Sequence, residues 1–332
     1  NTTGQAFRGI DRPPPVDSAS PPLRKRPWPF IAALLLIAAS VPLAWWVFYG
    51  EEPAPKVKAA SAIDAGQRKF SEIKVAEVTG TVLVKRGDAG FMPIAAGDKL
   101  SAADAVRTDD GSYAVLVGDE YWEVKMEPGT EVSVGELDNS ITSLLLQTGM
   151  ARAKVKGGSR HVFEVRATGT DAVARTSDGT FAVSHNGQGT VAVGTEAGEV
   201  TFVGKGKVVI VRAGQQAIAK PGEAPSDPTP IPNSLLLKVA LPATATLNKP
   251  KLVLVGHVEP GARVDVQGHV VHADDKGRFE WPATLHEGKN TLEVHAQSVG
   301  QLTATSTHEI ELDTTVRKTT IDKNLWEGTT QP

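Results

Sequence analysis

The chain has 332 residues, 22% of them charged, a net charge of −3 and no cysteine. Without cysteine there is no disulfide, no thiolate chemistry and no cysteine-held metal, so its folds rest on packed cores alone. The charge is split: residues 1–27 carry five Lys or Arg against two Asp, a net +3, and the remainder is a net −6, which follows topology and leaves no basic face for nucleic acid.

Residues 1–27 are rich in Pro, Ser and charge and too poor in apolar residues to build a core, so they read as a disordered tail. Residues 28–49, WPFIAALLLIAASVPLAWWVFY, are an uncharged run of 22. At about 1.5 Å per residue that crosses a bilayer core of about 30 Å, so a transmembrane helix is expected. Trp28, Trp45, Trp46 and Tyr49 stand where interfacial aromatics belong, with Arg24, Lys25 and Arg26 before the run and Glu51 and Glu52 after it. The positive-inside rule then puts the N-terminus in the cytoplasm and the bulk of the chain outside. The competing reading, a cleaved secretory signal with Ala38, Ala39 and Ser40 followed by Ala44 as its small-residue run, fits less well, because the run is too long and at least 27 residues precede it. Residues 50–72 form a juxtamembrane linker whose Ala-rich part, from Val57, suits a short helix.

From Ile73 to Lys220 the pattern is short β-branched runs separated by turns such as Asp109-Asp110-Gly111, Glu127-Pro128-Gly129 and Asn186-Gly187. In GTVLVKR, Val82 and Val84 point one way and Thr81, Leu83 and Lys85 the other, which predicts antiparallel sheets with one buried face, as a sandwich or a solenoid-like stack of hairpins. Residues 221–234 hold five prolines in the twelve-residue stretch PGEAPSDPTPIP and read as a semi-rigid spacer reaching on the order of 35 Å. Residues 235–315 form a second strand-rich module with strands about every ten residues, the spacing of an immunoglobulin-like sandwich. The tail, 316–332, reads as irregular, with Leu325 and Trp326 the candidate partner contacts.

No catalytic constellation emerges. His269 and His272 sit three apart on a probable strand and so face opposite sides, which argues against a shared metal and for surface polar residues. Asp274 and Asp275 precede Lys276-Gly277 without the spaced ligands of a calcium loop and read as a hairpin turn. Gly187-Gln188-Gly189 and Gly204-Lys205-Gly206 lie between strands, opening no phosphate-binding helix. Ser159 lacks a nucleophile elbow, and Glu120 and Glu123 are isolated carboxylates. Trp122 and Trp281 are read as core packing, with interface anchoring as the alternative. Neither a cofactor nor a metal is expected.

The motifs VAEVTGTVLVKRG, FMPIAAGDKLSAADAVRTDDGSYAVL, EPGTEVSV, LLLQTGMARAKV, HVFEVRA, GTFAVS, EAGEVTFVG and VRAGQQAIA, in that order, resemble the FecR domain, a bacterial periplasmic module. Two departures stand out: Ala167-Thr168-Gly169 where many members have Thr-Pro, and Asp178-Gly179-Thr180 where they have Arg-Gly-Thr. Farther on, Gly-x-Val-x-Pro-Gly-Ala at 256–262, Asp-x-x-Gly-x-Phe at 274–279 and Leu-x-x-Gly-x-Asn at 285–290 resemble bacterial Ig-like domains of the glucodextranase-associated type. The expectation is an all-β protein: a transmembrane helix, a FecR-like antiparallel β module and an Ig-like β-sandwich. Its expected role is that of a non-enzymatic, single-pass inner-membrane scaffold or accessory subunit. Its expected partners are other envelope proteins, inner-membrane lipid and peptidoglycan, with no nucleic acid. FecR-type control of a sigma factor and glycan or cell-wall binding are the alternatives.

Overall fold

The computed structural model describes residues 72–118, 121–138, 140–157, 161–241 and 246–315. Among them every regular element is a strand, and no helix is long and apolar enough to cross a membrane. The apolar run at 28–49 lies outside the described residues, as do Arg24, Lys25, Arg26, Trp28, Trp45, Trp46, Tyr49, Leu325 and Trp326.

Sixteen strands between Ile73 and Pro230 build the first module as two stacked sheets. The near sheet, so called because the second module packs on it, runs Lys99–Leu100, Ile73–Thr79, Tyr113–Gly118, Trp122–Met126, the end of Ile141–Val155, Gly179–His185, the start of Val191–Gly204, Gln215–Ala219 and Thr229–Pro230. The far sheet runs Met92–Pro93, Val82–Lys85, Ala105–Thr108, Glu131–Leu137, the start of Ile141–Val155, Val162–Ala167, Val173–Thr176, the end of Val191–Gly204 and Lys207–Arg212. Leu116, Phe163, Phe181, Val193 and Phe202 close the core between them. Alternation places the side chains as the sequence suggests, Val82 and Val84 being buried and Lys85 exposed.

Two long strands belong to both sheets. Ile141–Val155 pairs with Glu131–Leu137 up to Thr148 and with Gly179–His185 from Gly149 onward. Gly149, at φ +96°, makes the change of layer, and a Cβ there would stand 2.5 Å from Thr130 Cα. This crossing corrects the expectation of a purely antiparallel module. After the long strand has moved to the near sheet, the chain returns to the far one, so Val162–Ala167 lies parallel to the strand's first half, Val162 opposite Ile141 and Ala167 opposite Leu146.

The proline-rich segment is not a free spacer. Thr229–Pro230 adds to the near sheet beside Gln215 and Gln216, Ser226 donates its N–H to Ile218 O at 2.9 Å, and Ile231 donates to Gly214 O at 2.9 Å. Prolines suit an edge strand because the side facing away from the sheet needs no N–H, and here Ser226 and Ile231 keep the donors that are used.

The second module is a sandwich of a three-stranded sheet, Leu237–Ala240, Lys251–Val258 and Arg278–Thr284, and a five-stranded sheet, Thr246–Leu247, Thr303–Leu312, Gly288–Gln297, Arg263–Val266 and His269–Val271. Leu254, Val264, Phe279, Val294 and Ile310 fill its core. Here too one pair is parallel, Thr246–Leu247 with Glu311 and Leu312.

Candidate functional site

The chemistry concentrates where the second module rests on the outer face of the near sheet. Along Gly179–His185 and Val191–Gly204 the inward positions are Phe181, Val183, Val191 and Val193, which leaves Ala182, Ser184, Ala192 and Gly194 pointing outward. Solvent-facing positions would ordinarily be polar and long. These are small, and Ala182 and Ala192 form with Met150 and Val299 a separate buried cluster against which Ile218 packs. The turn 298–301 comes close enough that a Cβ on Gly194 would stand 2.8 Å from Val299 O. On the facing loop Gly261, at φ +83°, comes so near that a Cβ would be 2.5 Å from Ala192 Cβ. Both its backbone angle and its neighbour exclude a larger residue.

Hydrogen bonds surround this apolar patch. Ser184 Oγ donates to Gly261 O at 2.5 Å, and Asn186 Nδ2 donates to Ala273 O at 2.9 Å. Asp110 receives the Val270 N–H on one oxygen and faces His269 Nδ1 with the other, each at 2.9 Å. Gln216 donates to Glu259, and Gln301 to Glu196, which also pairs with Arg152 at 3.3 Å. Thr148 Oγ1 lies 3.3 Å from His272 Nε2.

Next to the patch but on the core face of the near sheet, opposite Val191, lies His185, 3% exposed. Its Nδ1 stands 3.2 Å from Leu146 O, and because a carbonyl only accepts, that nitrogen carries the proton. Nε2 is then the bare nitrogen, buried and without a hydrogen-bond partner among the described residues. Burial lowers the His185 pKa below its ordinary value, the Leu146 and Gln147 carbonyls offsetting this in part. His272 is lowered as well, by burial first and by the charge of His185 second. One side of His272 is open to solvent.

His269 and His272 do diverge, but both are bridges between modules in addition to being partly exposed. Trp122 is core, 4% exposed and 5.1 Å from the Phe163 ring. Trp281 is half-buried, stacked on His269 at 5.1 Å and 21°, beside an open recess of about 560 Å³. Asp274 Oδ1 accepts the N–H groups of Lys276 and Arg278, the turn that the sequence suggests. Asn186 likewise closes the Gly187-Gln188-Gly189 turn, accepting from Gln188 and Thr190, while Lys205 pairs with Asp171 at 3.3 Å. Glu123 is an exposed strand residue, and Glu120 and Ser159 lie outside the described residues. Among the described residues no group of three or more His, Asp or Glu is placed to hold a metal ion.

His185, Ser184, Ala192 and Gly194 were not readable as a site from the sequence. The one signal was that Ala182, Ser184, Ala192 and Gly194, at outward positions of two neighbouring strands, are all small and uncharged.

No protein-family model matches the chain, and no curated protein matches it. Two crystal structures of a candidate anti-sigma factor from Parabacteroides distasonis align with 38% of this chain at 18% and 17% identity, each with a TM-score of 0.34. The chain spans 59% of the length of those structures. The fibronectin(III)-like modules of Clostridium thermocellum CbhA align with 55% of this chain and 94% of theirs, at 12% identity and a TM-score of 0.20. Likenesses this loose carry no argument about family or function.

Proposed function

We propose that this chain is a non-enzymatic, single-pass inner-membrane protein whose two β modules act as one arm in the periplasm, scaffolding a cell-envelope assembly. The observation that carries the reading is the junction, where a small-residue patch and a ring of hydrogen bonds join two sandwiches into one body. A body of fixed geometry suits the positioning of partners more than it suits chemistry. The apolar run at 28–49 and the charges around it supply the anchor and the orientation in this proposal.

A contact surface for other envelope proteins is offered by the strand Lys207–Arg212. Among the described residues it pairs on one side only, with Val191–Gly204, and its outward Val208 and Ile210 are 59% and 43% exposed. An edge of this kind accepts a further strand. Photo-crosslinking in cells, with the probe placed at Val208 of the full chain, tests the proposal. Envelope proteins are expected on the probe, and Val208→Lys together with Ile210→Lys should cut the yield at neighbouring probe sites several-fold. Capture of a sigma factor through the N-terminal tail, with no envelope protein on the modules, would replace scaffolding by signalling.

A further inference from the structure

We infer that the recess beside Trp281 is a binding site for an acidic saccharide, a pyranose that carries a carboxylate. The inference adds a ligand to the scaffold reading and does not depend on it.

The recess is lined by the second module alone. Its walls are the end of Arg278–Thr284, the loop that follows and the start of Gly288–Gln297, with Gln267 and His269 beside them. Its volume of about 560 Å³ falls within the range of small-molecule sites, about 300–1,000 Å³. The parts are held before any ligand arrives. Asn290 accepts the His286 N–H at 2.8 Å and donates to His286 O at 2.7 Å and Gly288 O at 3.0 Å, which fixes the loop. His269 is held by Asp110 at 2.9 Å and stacks on Trp281. A site fixed in advance loses less to ordering when it binds.

The lining suits a ring that is apolar on its faces and polar around its edge. Buried Ala283 and Leu292 supply apolar surface, and Trp281 adds an indole whose N–H has no partner among the described residues. The Thr284 and Thr291 hydroxyls, Gln267 Oε1 and the His286 ring also lack a hydrogen-bond partner among the described residues, and all four residues line the recess. A pyranose offers C–H groups to the first set and hydroxyls to the second.

Charge decides which pyranose. No Asp or Glu lines the recess, whereas Lys289 does, without an ion pair among the described residues. The acids nearby are engaged elsewhere: Glu280 pairs with Arg278, Glu287 accepts from Thr314 N and Oγ1 at 3.0 and 2.8 Å, and Glu293 lies 3.2 Å from His295. Glu311 stands opposite Lys289 on the neighbouring strand, yet the two form no ion pair. In a chain with 38 acidic and 35 basic residues, a recess with one ammonium and no carboxylate favours an anionic ligand. An extended peptide fits less well. Pro282 stands on the open edge of Arg278–Thr284, where an added strand would need a donor, and Gln267 Nε2 already donates to Thr291 O at 2.6 Å on the facing strand.

The test titrates the full chain in detergent, by calorimetry, with saccharides of known charge. Tri-galacturonic acid carries its carboxylates on the ring, the disaccharide of N-acetylglucosamine and N-acetylmuramic acid carries one on a lactyl ether, and chitobiose carries none. At least one acidic probe is expected to bind about fivefold more tightly than chitobiose, and which one does so identifies the source of the carboxylate. Lys289→Met should remove that preference, and Thr284→Trp, at an exposed position lining the recess, should abolish binding of every probe. Binding of neither acidic probe, equal binding of chitobiose, or binding that both variants leave unchanged overturns the inference. So does tighter binding of a penta-glutamate peptide, which would put a peptide in the saccharide's place. Should Thr284→Trp lose the far-ultraviolet sheet signal, Lys289→Met alone decides.

Discussion

The two β modules bury their sheets by different means. In the first, Ile141–Val155 and Val191–Gly204 each contribute to both layers, so the near and far sheets are stitched by continuous backbone. In the second, a three-stranded and a five-stranded sheet share no strand and are held across the core by side chains such as Leu254, Phe279 and Val294. A module of the first kind should respond to damage as a whole, whereas one of the second kind depends on how well its side chains fill the gap. The junction adds a third arrangement, in which a small apolar patch excludes water and polar groups set the register.

The largest effect should come from Phe163→Ala. Phe163 is fully buried between Trp122 and Phe181, and its loss should cost about 3–5 kcal/mol in denaturant unfolding. Hydrogen exchange should then show both layers losing protection together, while Phe279→Ala, of similar cost, should leave the first module protected. Loss of protection in far-sheet peptides alone would break the comparison. Next in size is Gly261→Val, which puts side-chain atoms against Ala192 and a β-branched residue at positive φ. It should weaken the junction by about 1–3 kcal/mol and split one calorimetric transition into two. The smallest is Asp110→Asn. It keeps an oxygen for the Val270 N–H and removes only the charge facing the half-exposed His269, an expected change of about 0.2–1 kcal/mol that shrinks with added salt.

The strands were legible because their inward residues alternate, as in YAVLVG, where Ala114 and Leu116 are buried. The turns were legible too, since Asp274 and Asn186 are residues that hydrogen-bond their own backbone. The change of layer at Gly149 was hidden. LLLQTGMARAKV has a turn-like Gly in the middle of a strand, and only the partners on either side show that the chain is passing between sheets. The course of the proline-rich segment was misjudged because composition reports stiffness, whereas the donors of Ser226 and Ile231 decide where the segment lies. The junction was least legible of all. Its patch comes from residues as far apart as Met150 and Val299, and small side chains carry no signal until the partner surface is known.

The shared strands also make the first module check its own alignment. Sliding an ordinary strand by one residue turns its apolar set outward in a single sheet. Sliding Ile141–Val155 by one would at once expose Leu144 and Leu146 in one layer and Ala151 and Ala153 in the other, and would displace Gly149 from the only point where the turn between layers fits. A misaligned form is therefore penalised in both sheets together, which leaves few compact alternatives for a cysteine-free chain to fall into.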